Sequence, residues 1–165
     1  MEYKKYIRDI PDFPVKGVVF RDVSPLLADP VILRHAITDL SGRIDLAQVD
    51  AFAGIESRGF IFASALAMHN EKGFIPLRKV GKLPPPTIRA SYVLEYGEAI
   101  LEVHSGRGRV VIVDDVLATG GTMDASIELC ERAGYDVHDV AVLIDLRFLN
   151  QFSFRGRQAR SLVQY

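Results

Sequence analysis

The chain has 165 residues, 48% of them hydrophobic and 25% charged, which suffices for one packed domain and is too little for two full ones. Lys plus Arg number 20 against 21 Asp plus Glu, so no global basic field points to nucleic acid or an anionic membrane, and any anion site must be local. No apolar run is long enough to cross a bilayer, "MEYKKYIRDI" lacks a signal-peptide core, and the single Cys130 cannot form an internal disulfide, so a soluble protein of the reducing cytoplasm is expected.

In chain order, "ADPVILRHAITDLSGRI" predicts a helix with Asp29 as N-cap and Pro30 in the first position. Leu33, Ile37 and Leu40 share one face of it, and Gly42 stops it. "VDAFAGI", Val49 to Ile55, is a short apolar strand, and "ESRGF" leads from it into the small-residue helix "IFASALAMHN". "GFIPL", Gly73 to Leu77, is the next strand. "LPPPTIRASYVLEYGEAILEVHSGRGR" breaks the rhythm: its prolines exclude a helix interior, while "SYVLEYG" and "AILEVH" alternate as two half-buried strands. It reads as a proline-tethered β flap beside the sheet. "RVVIV", Arg109 to Val113, is a strand, and "GTMDASIELCERAG" a helix with Met123, Ile127 and Cys130 on one side and Gly134 as its C-cap. "VAVLIDL", Val140 to Leu146, is a further buried strand, and Arg155, Arg157 and Arg160 read as a solvated tail. Strands alternating with helices predict an α/β fold: one domain over residues 1–165, with a mostly parallel twisted sheet flanked by helices.

In such a sheet ligands gather at the carboxyl ends of the strands. There "VVIVDDVLATGGT" runs from an apolar strand through Asp114 and Asp115 into Ala118, Thr119, Gly120, Gly121 and Thr122 at a helix start. Free N–H groups and the positive end of the helix dipole make that turn a phosphate seat, with glycines admitting the anion and two threonines adding hydroxyl donors. The loop holds no lysine, unlike a Walker A sequence, which favours a monophosphate over a nucleoside triphosphate. Carboxylates beside that seat repel an anion, so Asp114 and Asp115 must face something else: the 2′ and 3′ hydroxyls of a ribose, or a divalent metal through water. "GIESRGF" repeats the design, with Ser57 and Arg58 at a helix start, and "RKVGKLP" places Arg78, Lys79 and Lys82 after another strand. Cys130 reads as a packed thiol, and His35, His69, His104 and His138 show no metal-ligand spacing.

"VVIVDDVLATGGT" resembles the 5-phosphoribosyl 1-pyrophosphate (PRPP) motif of the type I phosphoribosyltransferases, and "PDFPVKGVVFRDVSP", "ESRGFIFASALA" and "RKVGKLPPPTIRASYVLEYG" resemble its adenine-specific branch. The resemblance runs from about Ile10 to Leu146, with the ending "SLVQY" also similar. It implies transfer of a phosphoribosyl group from PRPP to adenine, giving AMP and pyrophosphate, with Mg²⁺ carried on PRPP and no metal ligands supplied by the protein. Ala118 to Thr122 then hold the 5′-phosphate and Asp114 and Asp115 the ribose hydroxyls. Ser57, Arg58, Lys79 and Lys82 hold pyrophosphate, and the turn matching Glu56–Ser57 carries a cis peptide. The resemblance further implies a hood over about residues 10–25, in which Phe20 stacks on adenine and backbone groups of Val19 and Arg21 read its edge, with Leu146 on the opposite face. In a flap over about residues 82–106, Glu95 matches the carboxylate that exchanges a proton with the base, and Tyr96 covers the site; Glu95, Arg58 and Tyr96 form the implied catalytic set. A homodimer paired near the Arg78 turn is implied too. Two stretches depart from the family pattern: "EVHSGRGR" is shorter, and the chain after Leu146 is brief. Two other readings stay open at this stage, a PRPP-sensing regulator on the same fold and a transferase for hypoxanthine, guanine or orotate.

Overall fold

A computed structural model describes residues 1–94 and 97–165; Glu95 and Tyr96 lie outside the described residues. After a 3-10 turn, Tyr3–Tyr6, the chain forms a small antiparallel pair, β1 (Arg8–Pro11) and β2 (Val19–Asp22), separate from the main sheet. This pair falls where the hood is expected, and a short helix α1 (Ser24–Ala28), unforeseen in the sequence, leads out of it. In α2 (Pro30–Ser41) the capping chemistry acts as read: Asp29 accepts from the N–H groups of Val31 and Ile32 at 2.9 and 3.1 Å, and the buried face is Ile32, Ala36, Ile37 and Leu40. Such a cap is worth about 1 kcal/mol.

β3 (Ala51–Ile55), α3 (Gly59–His69) and β4 (Gly73–Lys79) form the first crossover unit. β5 (Ile88–Leu94) and β6 (Gly97–Val103) make the hairpin, and β7 (Arg109–Leu117), α4 (Gly121–Arg132) and β8 (Asp136–Asp145) the second crossover, before β9 (Arg160–Gln164). The sheet has seven strands in the order β5-β6-β4-β3-β7-β8-β9, parallel from β4 to β9, with the hairpin antiparallel on the β4 edge.

The strands alternate their side chains between two helical layers, as the period-2 pleat requires. Val111 and Val113 of β7 and Ala141 and Leu143 of β8 face a core shared with α2 and α3, including Ile37, Leu40, Phe62 and Leu66. Val110 and Ile112, with Val140 and Val142, face a second core shared with α4 through Met123, Leu129 and Cys130. Cys130 is packed as expected, and burial pushes its thiol up to about 12.

Three expectations are corrected. The flap does not stand beside the sheet: Arg78 and Lys79 of β4 pair with Glu102 and Leu101 of β6, so the hairpin extends the sheet's own edge. The strand before the acidic pair does not stop at Val113 but continues to Leu117, because β8 pairs with it that far while β3 leaves after Val113. Finally, the basic tail is not simply solvated. Arg160 starts β9 and binds the buried Asp139 at 2.8 Å, and Arg157 donates to the His138 carbonyl at 3.2 Å. No helix among the described residues is long and apolar enough to cross a membrane.

Candidate active site

The loss of β3 as a neighbour beyond Val113 opens one side of β7 where Asp114 and Asp115 lie. Asp115 is buried and Asp114 half-buried. Asp114 Oδ1 accepts from the Asp115 N–H at 2.8 Å, and Arg58 Nε lies 2.8 Å from Asp115 Oδ2. Burial, then the neighbouring charge of Asp115, pushes the Asp114 carboxyl well above the usual range. Burial also raises Asp115, against the opposing pull of Arg58. Asp115 Oδ2 has no aligned hydrogen-bond donor among the described residues, so Arg58 serves it as a charge and leaves its acceptor capacity free.

Directly beyond, Ala118 to Thr122 turn the chain into α4. Gly120 is the N-cap with φ +101°, a left-handed geometry that glycine adopts without steric cost. The first helical bond runs from the Asp124 N–H to the Gly120 carbonyl at 2.9 Å, so the N–H groups of Gly121, Thr122 and Met123 precede the helical ladder. A cavity of about 70 Å³ lies against them, lined by Asp114, Ala118, Thr119, Gly120, Thr122 and Met123 among others.

The second turn expected to bind an anion sits at the end of β3. The Glu56–Ser57 peptide is cis, Ser57 is exposed, and α3 begins at Gly59 with Arg58 as its N-cap. Glu56, named in the sequence only as one end of the cis turn, organises this corner. Its carboxylate accepts from the Lys79 N–H at 2.9 Å and contacts Arg78 Nε at 3.3 Å and Lys82 Nζ at 3.2 Å. Burial opposes its charge, yet the Lys79 amide, Arg78 and Lys82 together hold the carboxyl down at about 2. Lys79 itself is exposed on β4. Glu102, fully buried on β6, fixes the following loop by accepting from the N–H groups of Lys82 and Leu83 at 2.8 and 2.9 Å and from the Thr87 hydroxyl at 3.1 Å. Lys82 is thus held at its backbone by one carboxylate and at its ammonium by another.

The hood reaches the same crevice through Phe20, whose ring carries the Arg58 guanidinium 4.7 Å from its centroid and meets Phe13 edge-on at 5.2 Å. Arg21 is committed elsewhere: it pairs with Asp9 and stacks 3.9 Å from the Tyr165 ring centroid. Its backbone and that of the exposed Val19 lie on β2. Leu146 is buried in the core just past β8, its N–H donating to the Leu117 carbonyl at 2.9 Å. Phe20, Arg58, Asp115, Asp114 and the Ala118–Thr122 loop therefore meet at one end of the sheet, with Leu146 bonded to the strand that leads into the loop, whereas Lys79, Lys82 and Ser57 form the neighbouring corner.

Residues missed in the sequence have identifiable causes. Glu56 stands immediately after an apolar strand, as Asp114 does, and that parallel was a usable signal. Glu102 had none, since its partners lie about twenty residues away in the chain. Asn150 had none either, although it donates to the carbonyl of Ala118 at 2.8 Å.

A mostly parallel sheet whose one end gathers an open helix start, a pair of crowded carboxylates and a second cationic turn has the arrangement of a nucleotide-handling α/β protein. The chain belongs to the phosphoribosyl transferase domain family, whose model matches residues 23–148. It is 56% identical over 165 residues to an adenine phosphoribosyltransferase of Bdellovibrio bacteriovorus, covering all of both chains. Among solved structures it is similar to the adenine phosphoribosyltransferase of Thermoanaerobacter pseudethanolicus, with a TM-score of 0.89 and 40% identity, covering 99% of this chain and 98% of that one. It is also similar to the Saccharomyces cerevisiae enzyme in complex with an imino-altritol bisphosphate and adenine, with a TM-score of 0.86 and 32% identity over 98% of this chain and 96% of that one.

Proposed function

We propose that the protein is an adenine phosphoribosyltransferase, joining adenine to the phosphoribosyl group of PRPP and releasing pyrophosphate. The observation that carries the reading is the juxtaposition of Asp114 and Asp115 with the open helix start at Gly120, a ribose-binding edge one turn from a phosphate seat. The relatives of the same name at 56%, 40% and 32% identity support the choice of base.

In this reading Ala118 to Thr122 hold the 5′-phosphate, Asp114 and Asp115 the sugar hydroxyls, and Ser57, Arg58, Lys79 and Lys82 the pyrophosphate, which competes with Glu56 for the Lys82 ammonium. Phe20 stacks on adenine, the backbone of Val19 and Arg21 reads its edge, and Leu146 lies beneath it. Mg²⁺ enters with PRPP as part of the substrate. The reaction develops positive charge at the anomeric carbon and negative charge on the departing pyrophosphate, so the chain's task is electrostatic placement of anion donors. Glu95 exchanges the proton of the base, an effect worth roughly 10² to 10⁴ in rate, while Tyr96 and the flap exclude water. The protein acts as a cytoplasmic homodimer. Ile61 and Met68 on α3, Phe74 on β4 and Val80 just after it are exposed apolar side chains, which supports such a pairing.

Radiolabelled adenine, guanine, hypoxanthine and orotate, each offered with PRPP and Mg²⁺, test the reading. Adenine alone is expected to yield its nucleotide; turnover of another base in preference, or of none while PRPP binds, overturns it.

A further inference from the structure

Asn150 lies past the end of β8 and is buried. Its side-chain nitrogen reaches three acceptors: the carbonyl of Ala118 at 2.8 Å, the carbonyl of Leu146 at 2.9 Å and Asp145 Oδ1 at 3.1 Å. Its Oδ1 accepts from the Phe152 N–H at 3.1 Å. This set defines the amide's orientation, because the three oxygens can only accept and the Phe152 N–H can only donate. Phe152 in turn packs behind the loop, its ring 3.6 Å from where a Cβ on Gly120 would stand.

In a trans peptide the C=O and the following N–H point in opposite directions. Holding the Ala118 carbonyl against Asn150 therefore aims the Thr119 N–H away from Asn150, and Ala118 and Thr119 both line the cavity at the helix start. The same nitrogen ties down the Leu146 carbonyl, so the phosphate loop and the residue beneath the base are held by one amide.

We infer that Asn150 is a positioning residue for the 5′-phosphate loop: without touching substrate, it orients the loop's first peptide and couples that loop to Leu146. The inference rests on the reading of Ala118 to Thr122 as the phosphate seat. Calorimetric titration of wild type, Asn150→Ala and Asn150→Asp with AMP, ribose 5-phosphate and inorganic pyrophosphate tests it. Asn150→Ala is expected to weaken AMP and ribose 5-phosphate by about tenfold while leaving pyrophosphate, held at the other corner, within about twofold. Asn150→Asp keeps the acceptor for Phe152 but sets an oxygen against three oxygens; its deficit in AMP affinity relative to wild type should narrow as pH falls and the carboxyl regains a proton to donate. Unchanged AMP affinity in Asn150→Ala, equal loss for pyrophosphate, or a deficit in Asn150→Asp that does not vary with pH overturns the role of Asn150. Failure of wild type itself to bind AMP or ribose 5-phosphate overturns instead the assignment of the loop.

Discussion

The surroundings of Asp114 oppose a charge on its carboxyl. Burial and the adjacent Asp115 raise its pKa well above the ordinary 3.8, so the ligand-free fold favours the protonated form more than the unfolded chain does. Its contribution to stability is therefore fully present below pH 3.8 and is lost as pH rises through the folded value. An asparagine there removes the repulsion and still offers an oxygen to the Asp115 N–H, which Asp114 now accepts at 2.8 Å. Asp114→Asn is expected to raise the melting temperature of the ligand-free protein at pH 7 while weakening AMP by about tenfold or more, the size of a lost charge-assisted bond. Thermal denaturation beside calorimetry checks both halves, and a lowered melting temperature would contradict the electrostatic account. At this scale the acidic pair and the glycine-rich turn were legible, because their residue types are costly in a buried strand end unless something is bound there. Glu102 was not, since it acts through bonds to backbone about twenty residues away in the chain.

The elements that carry the site were legible where periodicity or an unbroken apolar run is strong, as in α2, β3, β7 and α4. β1 was not, because all its residues are exposed and the strand has no alternation to read. The reach of β7 was also hidden: whether a strand continues past Val113 depends on which neighbour stays paired with it, and that is a property of the sheet. The start of α3 lies close against β7 beside the site. A Cβ on Gly59 would stand 2.7 Å from the Val113 carbonyl and 2.9 Å from Asp114 Oδ1. Gly59→Ala is therefore expected to push the start of α3 off β7, costing about 1–3 kcal/mol in chemical denaturation as overpacked sites do, and to weaken AMP along with it. Wild-type stability in that variant would show that the helix start yields without cost.

For the molecule as a whole, the three-layer arrangement leaves α3 apolar on its outer side as well as its inner one. Met68 is 81% exposed and Ile61 40%, and Phe74 on β4 is 38% exposed. Removing such a surface from water is the main favourable term in stable association, for which about 800 Å² per partner is typical. Sedimentation at micromolar concentration is expected to give twice the chain mass of 18.3 kDa, and Ile61→Asp combined with Met68→Glu to give the single chain. A monomeric wild type would remove the proposed pairing.

By itself the sequence determined the alternation of apolar strands with capped helices and the chemistry of each turn, because periodicity, caps and glycine-bearing helix starts act over a few residues. Only the tertiary structure decided that the flap hairpin continues the β4 edge, that Arg160 is drawn in by Asp139, and that Glu56, Glu102 and Asn150 hold the binding loops in place. Those outcomes depend on pairing between distant segments, where a buried polar group takes whichever partner the packing brings within reach rather than one its neighbours in the chain could announce.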